Sequence, residues 1–182
     1  MPILILGVLI WAGAHLFARL APASRERLGR RGKGAVALAL LLAVVLMVVG
    51  FRASPLLPVW EPPAFLRHLN NLMVLVAIYM MSPAPAKGVV LNRLRHPMLL
   101  GFALWALAHL LVNGDLASIV LFGGLLLWAL VEIAAIDRAE PQWAGRPRGT
   151  FGKDAMFLVA SIVLYGVIGV VHGWVGPSPF PM

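Results

Sequence analysis

Apolar positions along this chain gather into six long runs separated by five polar stretches. The runs cover roughly residues 2–20, 35–52, 64–82, 97–113, 116–137 and 155–176. Each is close to the about 20 residues that a helix needs to cross a hydrocarbon core. The fourth is the shortest, and its helix has room to begin earlier, in the Val89–Arg95 stretch. Pro97, directly after His96, suits a first helical turn, where a missing N–H costs nothing. Asn113-Gly114-Asp115 predicts a tight turn joining runs four and five as an antiparallel hairpin, with Asp115 as N-cap. Glu140 to Lys153, with its Pro and Gly residues, predicts an irregular loop. In the first run no charge precedes the apolar residues and a positive cluster follows, the reverse of a signal peptide. The pattern therefore predicts an all-α polytopic membrane bundle of six transmembrane helices, with residues 1–182 as a single domain.

The polar stretches set an orientation. The first carries Arg19, Arg25, Arg27, Arg30, Arg31 and Lys33. The third carries Lys87, Arg93 and Arg95, and the fifth Arg138, Arg146, Arg148 and Lys153. The second and fourth hold only Arg52 and Arg67 between them. Cytoplasmic loops of membrane proteins are the basic ones. Loops one, three and five are thus expected in the cytoplasm and both termini outside, on the periplasmic side of a bacterial inner membrane.

Composition agrees. Charged residues make up 12% of the 182 positions, and mean hydropathy is +0.91; soluble domains average roughly 25% charged. The net charge of +8 does not point to nucleic acid, because the basic residues lie between apolar runs and are not interleaved with aromatics. There is no cysteine, which removes disulfides, thiolate ligands and thiol chemistry. A bound metal or haem would need histidine, methionine or oxygen ligands.

Against this background the histidines stand out. His96 lies at an inner helix start and His68 near the outer start of the third run, while His15, His109 and His172 lie within apolar segments. Ionisable groups at such depth face the bundle interior and are functional candidates; the plainer alternative is a neutral imidazole that helps helices associate. Two of them share a pattern, WAGAH from Trp11 to His15 and WALAH from Trp105 to His109. In each, the Trp stands four residues earlier, on the same helix face. Small residues around each His allow close helix packing, and equally leave room for a flat ring against an imidazole. Opposed histidines on two helices can clamp a haem. By depth, His15 lies toward the cytoplasm and His109 toward the outside, roughly 12 Å apart along the normal at 1.5 Å per residue. That pairing needs a tilted haem, and His172 and His68 match His109 better in depth, so they are the alternates.

Among the other polar residues, Arg67 shares a face with Asn70 and Asn71. Its guanidinium suits a carboxylate such as a haem propionate, although Arg52 and Arg67 also suit snorkelling to the interface. Glu132, with Asp137 and Arg138, reads as an interfacial charge cluster. No HExxH, GxSxG, P-loop or dinucleotide fingerprint occurs.

The block RHPMLLGFALWALAHLLVNGDLASIVLFGGLLLWALVE, Arg95 to Glu132, and the first-run segment LGVLIWAGAHLFAR resemble NnrU proteins. These are small polytopic bacterial membrane proteins associated with denitrification and nitric oxide metabolism. The resemblance extends loosely over nearly the whole chain. It also reaches a superfamily relative, the 15-cis-zeta-carotene isomerase, which holds haem b through a first-helix histidine and the histidine after its RHP segment. Those positions match His15 and His109, and the resemblance implies haem b ligated by them, with Trp11 and Trp105 beside it. The isomerase has Cys where this chain has Ala106, so a thiolate-dependent step does not transfer. The implied partners are the lipid bilayer, haem and, in the isomerase reading, a hydrophobic polyene. The segment RHPMLLG also bears a weaker likeness to membrane methyltransferases with an RHP motif, but lacks their aromatic residue and their acidic, Tyr-rich downstream stretch.

Overall fold

Hydrocarbon offers no water to backbone amides, so a membrane segment must close its hydrogen bonds internally. The chain does this with helices. A computed structural model describes residues 1–180, with the side chains of Ala18 and Arg30, the latter one of the loop-one cations, outside the described set. The described residues form eight helices and no strand: α1 (Pro2–Leu20), α2 (Pro22–Arg27), α3 (Gly29–Arg52), α4 (Leu66–Met81), α5 (Ala84–Lys87), α6 (Pro97–Val112), α7 (Leu116–Ala139) and α8 (Phe151–Val175). Three segments are long and apolar enough to cross a membrane by themselves, Arg31–Arg52, Leu116–Ala139 and Phe151–Val175. Pro2–Phe17, Leu66–Met81 and Pro97–Val112 are shorter apolar helices.

Each expected run has its helix. α4 stops short of its run at both ends, whereas α3 and α8 begin, and α7 ends, in polar flanks beyond theirs. Thus α3 begins at Gly29, and α8 begins at Phe151, capped by Thr150 Oγ1, which accepts from Lys153 N at 3.4 Å. The fourth helix does not start early. Residues 88–95 form bends and turns, and the helix begins at Pro97. The short helices α2 and α5 were not expected from the pattern; each has a proline at its first turn.

The chain divides into two compact units: residues 1–61 with 113–141, and 62–112 with 142–182. In the first, α1 packs on α3 and α7. The start of α1 meets the end of α3, so these two run antiparallel. A Cβ on Gly50 would lie 2.7 Å from Leu4 Cα, and one on Gly7 would lie 2.8 Å from Met47 N. Only glycine permits this approach, which buries Leu4 completely. Backbones brought this close gain dispersion contacts that replace the missing hydrophobic drive between helices in lipid. α7 runs parallel to α1, with Val8 against Gly124. Asp115 caps α7 as expected, accepting from Ser118 N at 2.9 Å and Ser118 Oγ at 2.6 Å. The strip before α4 pairs with this turn: Val59 N donates to Gly114 O at 2.8 Å and Leu116 N to Leu57 O at 2.9 Å. Residues 113–115 link α6 to α7, which belong to different units.

In the second unit, α4 packs on α6 and α8. The end of α4 meets the start of α6 at Gly101, where a Cβ would lie 2.9 Å from Ala77 O. α8 also runs antiparallel to α4. One end is tied by Tyr79 and Asp154, the other by Asn71 Nδ2, which donates to Pro179 O at 3.0 Å. Asp154, 6% exposed, gathers the loop between α5 and α6. Its carboxylate accepts from Tyr79 Oη at 2.8 Å, Val89 N at 2.7 Å and Val90 N at 3.4 Å. Gly88 lies directly against that carboxylate.

Candidate functional site

A neutral imidazole has one donor nitrogen and one acceptor nitrogen, and a neighbouring group that can only accept decides which is which. In the first unit the His15 ring turns back along α1, and its Nδ1 lies 3.0 Å from Trp11 O. A carbonyl cannot donate, so Nδ1 carries the proton and Nε2 keeps its lone pair. The ring sits between two indoles, 4.4 Å from Trp11 and 4.5 Å from Trp128 of α7, and the indoles meet edge-on at 5.4 Å. One turn further along α1, Arg19 reaches α7. Its Nη1 donates to Glu140 Oε1 at 2.8 Å, and its Nε lies 4.0 Å from Glu132 Oε1. Glu132, one turn beyond Trp128, is only 8% exposed. The interfacial reading of Glu132 is thereby corrected: the sequence shows a charge near a helix end, but packing of α7 on α1 buries it beside Arg19.

The second unit repeats the arrangement. His109 Nδ1 lies 2.9 Å from Trp105 O, and the two rings are 4.8 Å apart. Again the carbonyl can only accept, so in the neutral ring the proton sits on Nδ1. Ala106 and Ala108 beside it are fully buried. Asn70 of α4 is buried against this helix; in the amide orientation that satisfies its neighbours it donates to Ala108 O at 2.9 Å. His172, exposed near the end of α8, lies within electrostatic reach of His109, and its own Nδ1 is 2.8 Å from Pro177 O. His68 is exposed at the start of α4. Arg67, also exposed, lines a small cleft of about 120 Å³ with Val112, which follows His109 by three residues on α6.

At the other end of α4 and α6 lies a larger cleft of about 410 Å³, among whose lining residues are Met80, Met81, Arg95, His96, Met98 and Arg146. Arg146 reaches in from the loop before α8. It donates to the carbonyls of Leu94 and, at 3.0 Å, Arg95, and its guanidinium lies over Trp143 at 5.5 Å.

A family model described as NnrU protein matches residues 3–179. The chain belongs to the NnrU family. No curated protein and no solved structure matches it. Family and apolar helices together make the NnrU chain a membrane protein.

The donor chemistry of the two Trp–His pairs fits a haem iron. Metal-bound histidines characteristically donate their second nitrogen to a carbonyl or carboxylate, which fixes the tautomer and raises the basicity of the ligating nitrogen. Both His15 and His109 already have that partner in their own helix. His172 has the same kind of bond but on the exposed end of α8. The NnrU chain presents His15 in one unit and His109 in the other. Both pairs are legible in the sequence; Trp128, the burial of Glu132, the Asp154 hub and the carbonyl contacts of Arg146 are not, because each depends on segments far apart in the chain. Among the described residues no cluster of three or more His, Cys, Asp or Glu is arranged to hold a metal ion.

Proposed function

We propose that this NnrU protein crosses a bacterial inner membrane six times with both termini outside, binds haem b through His15 and His109, and serves nitrite and nitric oxide reduction as an accessory or regulatory factor. The observation that supports the reading is the matched pair of Nδ1–carbonyl bonds at 3.0 and 2.9 Å, the kind of partner that metal-bound imidazoles characteristically have. The pathway assignment follows the NnrU resemblance.

The topology draws support from helix directions within each unit. α1 and α7 run together and α3 against them; α6 and α8 both run against α4. Six alternating spans require these relations, and the basic loops then fall on one side.

In this reading His15 and His109 hold the group, and Trp11, Trp128 and Trp105 exclude water from the imidazoles. Arg67, beside Val112, offers a guanidinium to a propionate carboxylate. Haem held there would supply one-electron chemistry and, where one histidine lets go, a site for a diatomic ligand. Ala106 is fully buried and carries no sulfur, which argues against transfer of carotenoid isomerisation.

The test is purification of the full chain from cells with ample haem, followed by haem and protein quantification. Equimolar haem b is the expected result. Protein that folds yet carries no haem under these conditions sinks the proposal. Incubation of loaded protein with a poly-cis carotenoid is expected to return it unchanged; conversion to the isomerised product would move the assignment to the enzyme.

A further inference from the structure

The RHP segment plays no part in haem ligation as proposed, yet it borders the larger cleft of the molecule's second unit. That cleft lies where two apolar helices stop: Met80 and Met81 are the last residues of α4, and Pro97 and Met98 the first of α6. Among the described residues its polar lining consists of Ser82 and the basic side chains Arg95, His96 and Arg146, with no carboxylate. Arg146 spends part of its N–H fork on the carbonyls of Leu94 and Arg95. Those bonds hold the guanidinium in place without consuming its five donors. The opposite walls are methionine and proline, and Met98, 65% exposed, continues the apolar lining onto the outer surface of the helix.

We infer that this cleft binds the headgroup of an anionic phospholipid, with its phosphodiester against Arg95, His96 and Arg146 and its acyl chain leaving over Met98. Two features select a lipid over a free phosphate. A cavity of about 410 Å³ is far larger than a single small ion fills, a water's share of liquid volume being roughly 30 Å³. The methionine walls also gain nothing from an ion, whereas a glycerol backbone and the first acyl carbons cover them. Guanidinium groups pair with phosphate bidentately, and basic pockets at helix ends on the cytoplasmic side are suited to anionic headgroups. The inference is independent of haem, since neither His15 nor His109 lines the cleft.

The test uses the full chain, detergent-solubilised and delipidated, with retained lipid counted by native mass spectrometry. Phosphatidylglycerol and phosphatidylcholine are offered in equal amounts. The wild-type chain should retain phosphatidylglycerol by about tenfold over phosphatidylcholine, the discrimination expected from one or two charge-assisted contacts. R95Q/H96Q should bring that ratio close to parity. A86W, which places bulk into the cleft from an exposed position, should lower retention of phosphatidylglycerol, whereas R31Q on α3 should change nothing. Equal retention of the two lipids by the wild-type chain overturns the inference without reference to any variant. So does undiminished preference in both R95Q/H96Q and A86W. Displacement of the lipid by millimolar inorganic phosphate would assign the site to a free anion instead.

Discussion

Removing the Asp154 carboxylate should loosen the second unit more than any other single polar deletion described above. Asp154→Ala strands three donors: the Tyr79 hydroxyl at 2.8 Å, Val89 N at 2.7 Å and Val90 N at 3.4 Å. Hydrogen bonds to an ionised group contribute about 1.5–3 kcal/mol each, and water reaching these part-exposed donors recovers some of it. Counting the two short bonds, and little for the long one, gives a loss of about 3–5 kcal/mol. Asp154→Asn should be far milder, about 1–2 kcal/mol. Its oxygen can still accept from Val89, and its amide can donate to Tyr79 once that hydroxyl turns to accept. The assay is equilibrium unfolding in mixed detergent–SDS micelles, read by tryptophan fluorescence, with proteolysis of residues 88–95 as a local probe. The Ala variant should also expose that loop to protease. An Ala variant as stable as the Asn variant, with an uncleaved loop, would refute the hub.

Further expectations concern other contacts. Gly50→Leu places a side chain into the Leu4 backbone and should cost about 1–3 kcal/mol or prevent folding, measured in the same unfolding assay. Arg19→Ala leaves Glu132 buried beside a lost cation and should cost about 1–2 kcal/mol, the half-exposed guanidinium tempering the effect; adding Glu132→Gln should recover part of it in a double-mutant cycle. Asp115→Ala removes the α7 cap and should cost about 1 kcal/mol. The chain has no cysteine, so S24C, E61C and P177C are clean single-thiol reporters of sidedness. An impermeant maleimide should label E61C and P177C in intact spheroplasts but label S24C only after lysis; the opposite pattern would invert the topology.

Local physics made much of this molecule legible. Run lengths located six long helices within a few residues, because a helix in lipid must keep an uninterrupted apolar surface. Pro97 and Asp115 marked helix starts, since an imino nitrogen and a side-chain cap act within one turn. The Trp–His pairs were equally legible, four-residue spacing being all that a ring contact and an i to i−4 carbonyl bond require. Glu132 and Asp154 were not. Near a helix end, a carboxylate looks interfacial until a second helix covers it, and no spacing along the chain announces that Arg19 or Tyr79 is the cover. The cleft at Arg95 was hidden for the same reason: one of its two arginines, Arg146, arrives from a loop far along the chain. Grouping of α7 with α1 and α3, and of α8 with α4 and α6, likewise depends on glycine contacts such as Gly124 with Val8 that local periodicity does not encode.

The most direct test of haem ligation is the reduced-minus-oxidised optical spectrum of purified protein with matched single-histidine variants. The wild-type chain should show a Soret band that shifts on reduction, with the sharp visible bands of a bis-histidine haem b. His15→Ala and His109→Ala should each weaken or abolish it, and His96→Ala should leave it intact. A spectrum unaffected by His15→Ala and His109→Ala but lost in His172→Ala or His68→Ala would contradict the assignment and move the ligands to those residues.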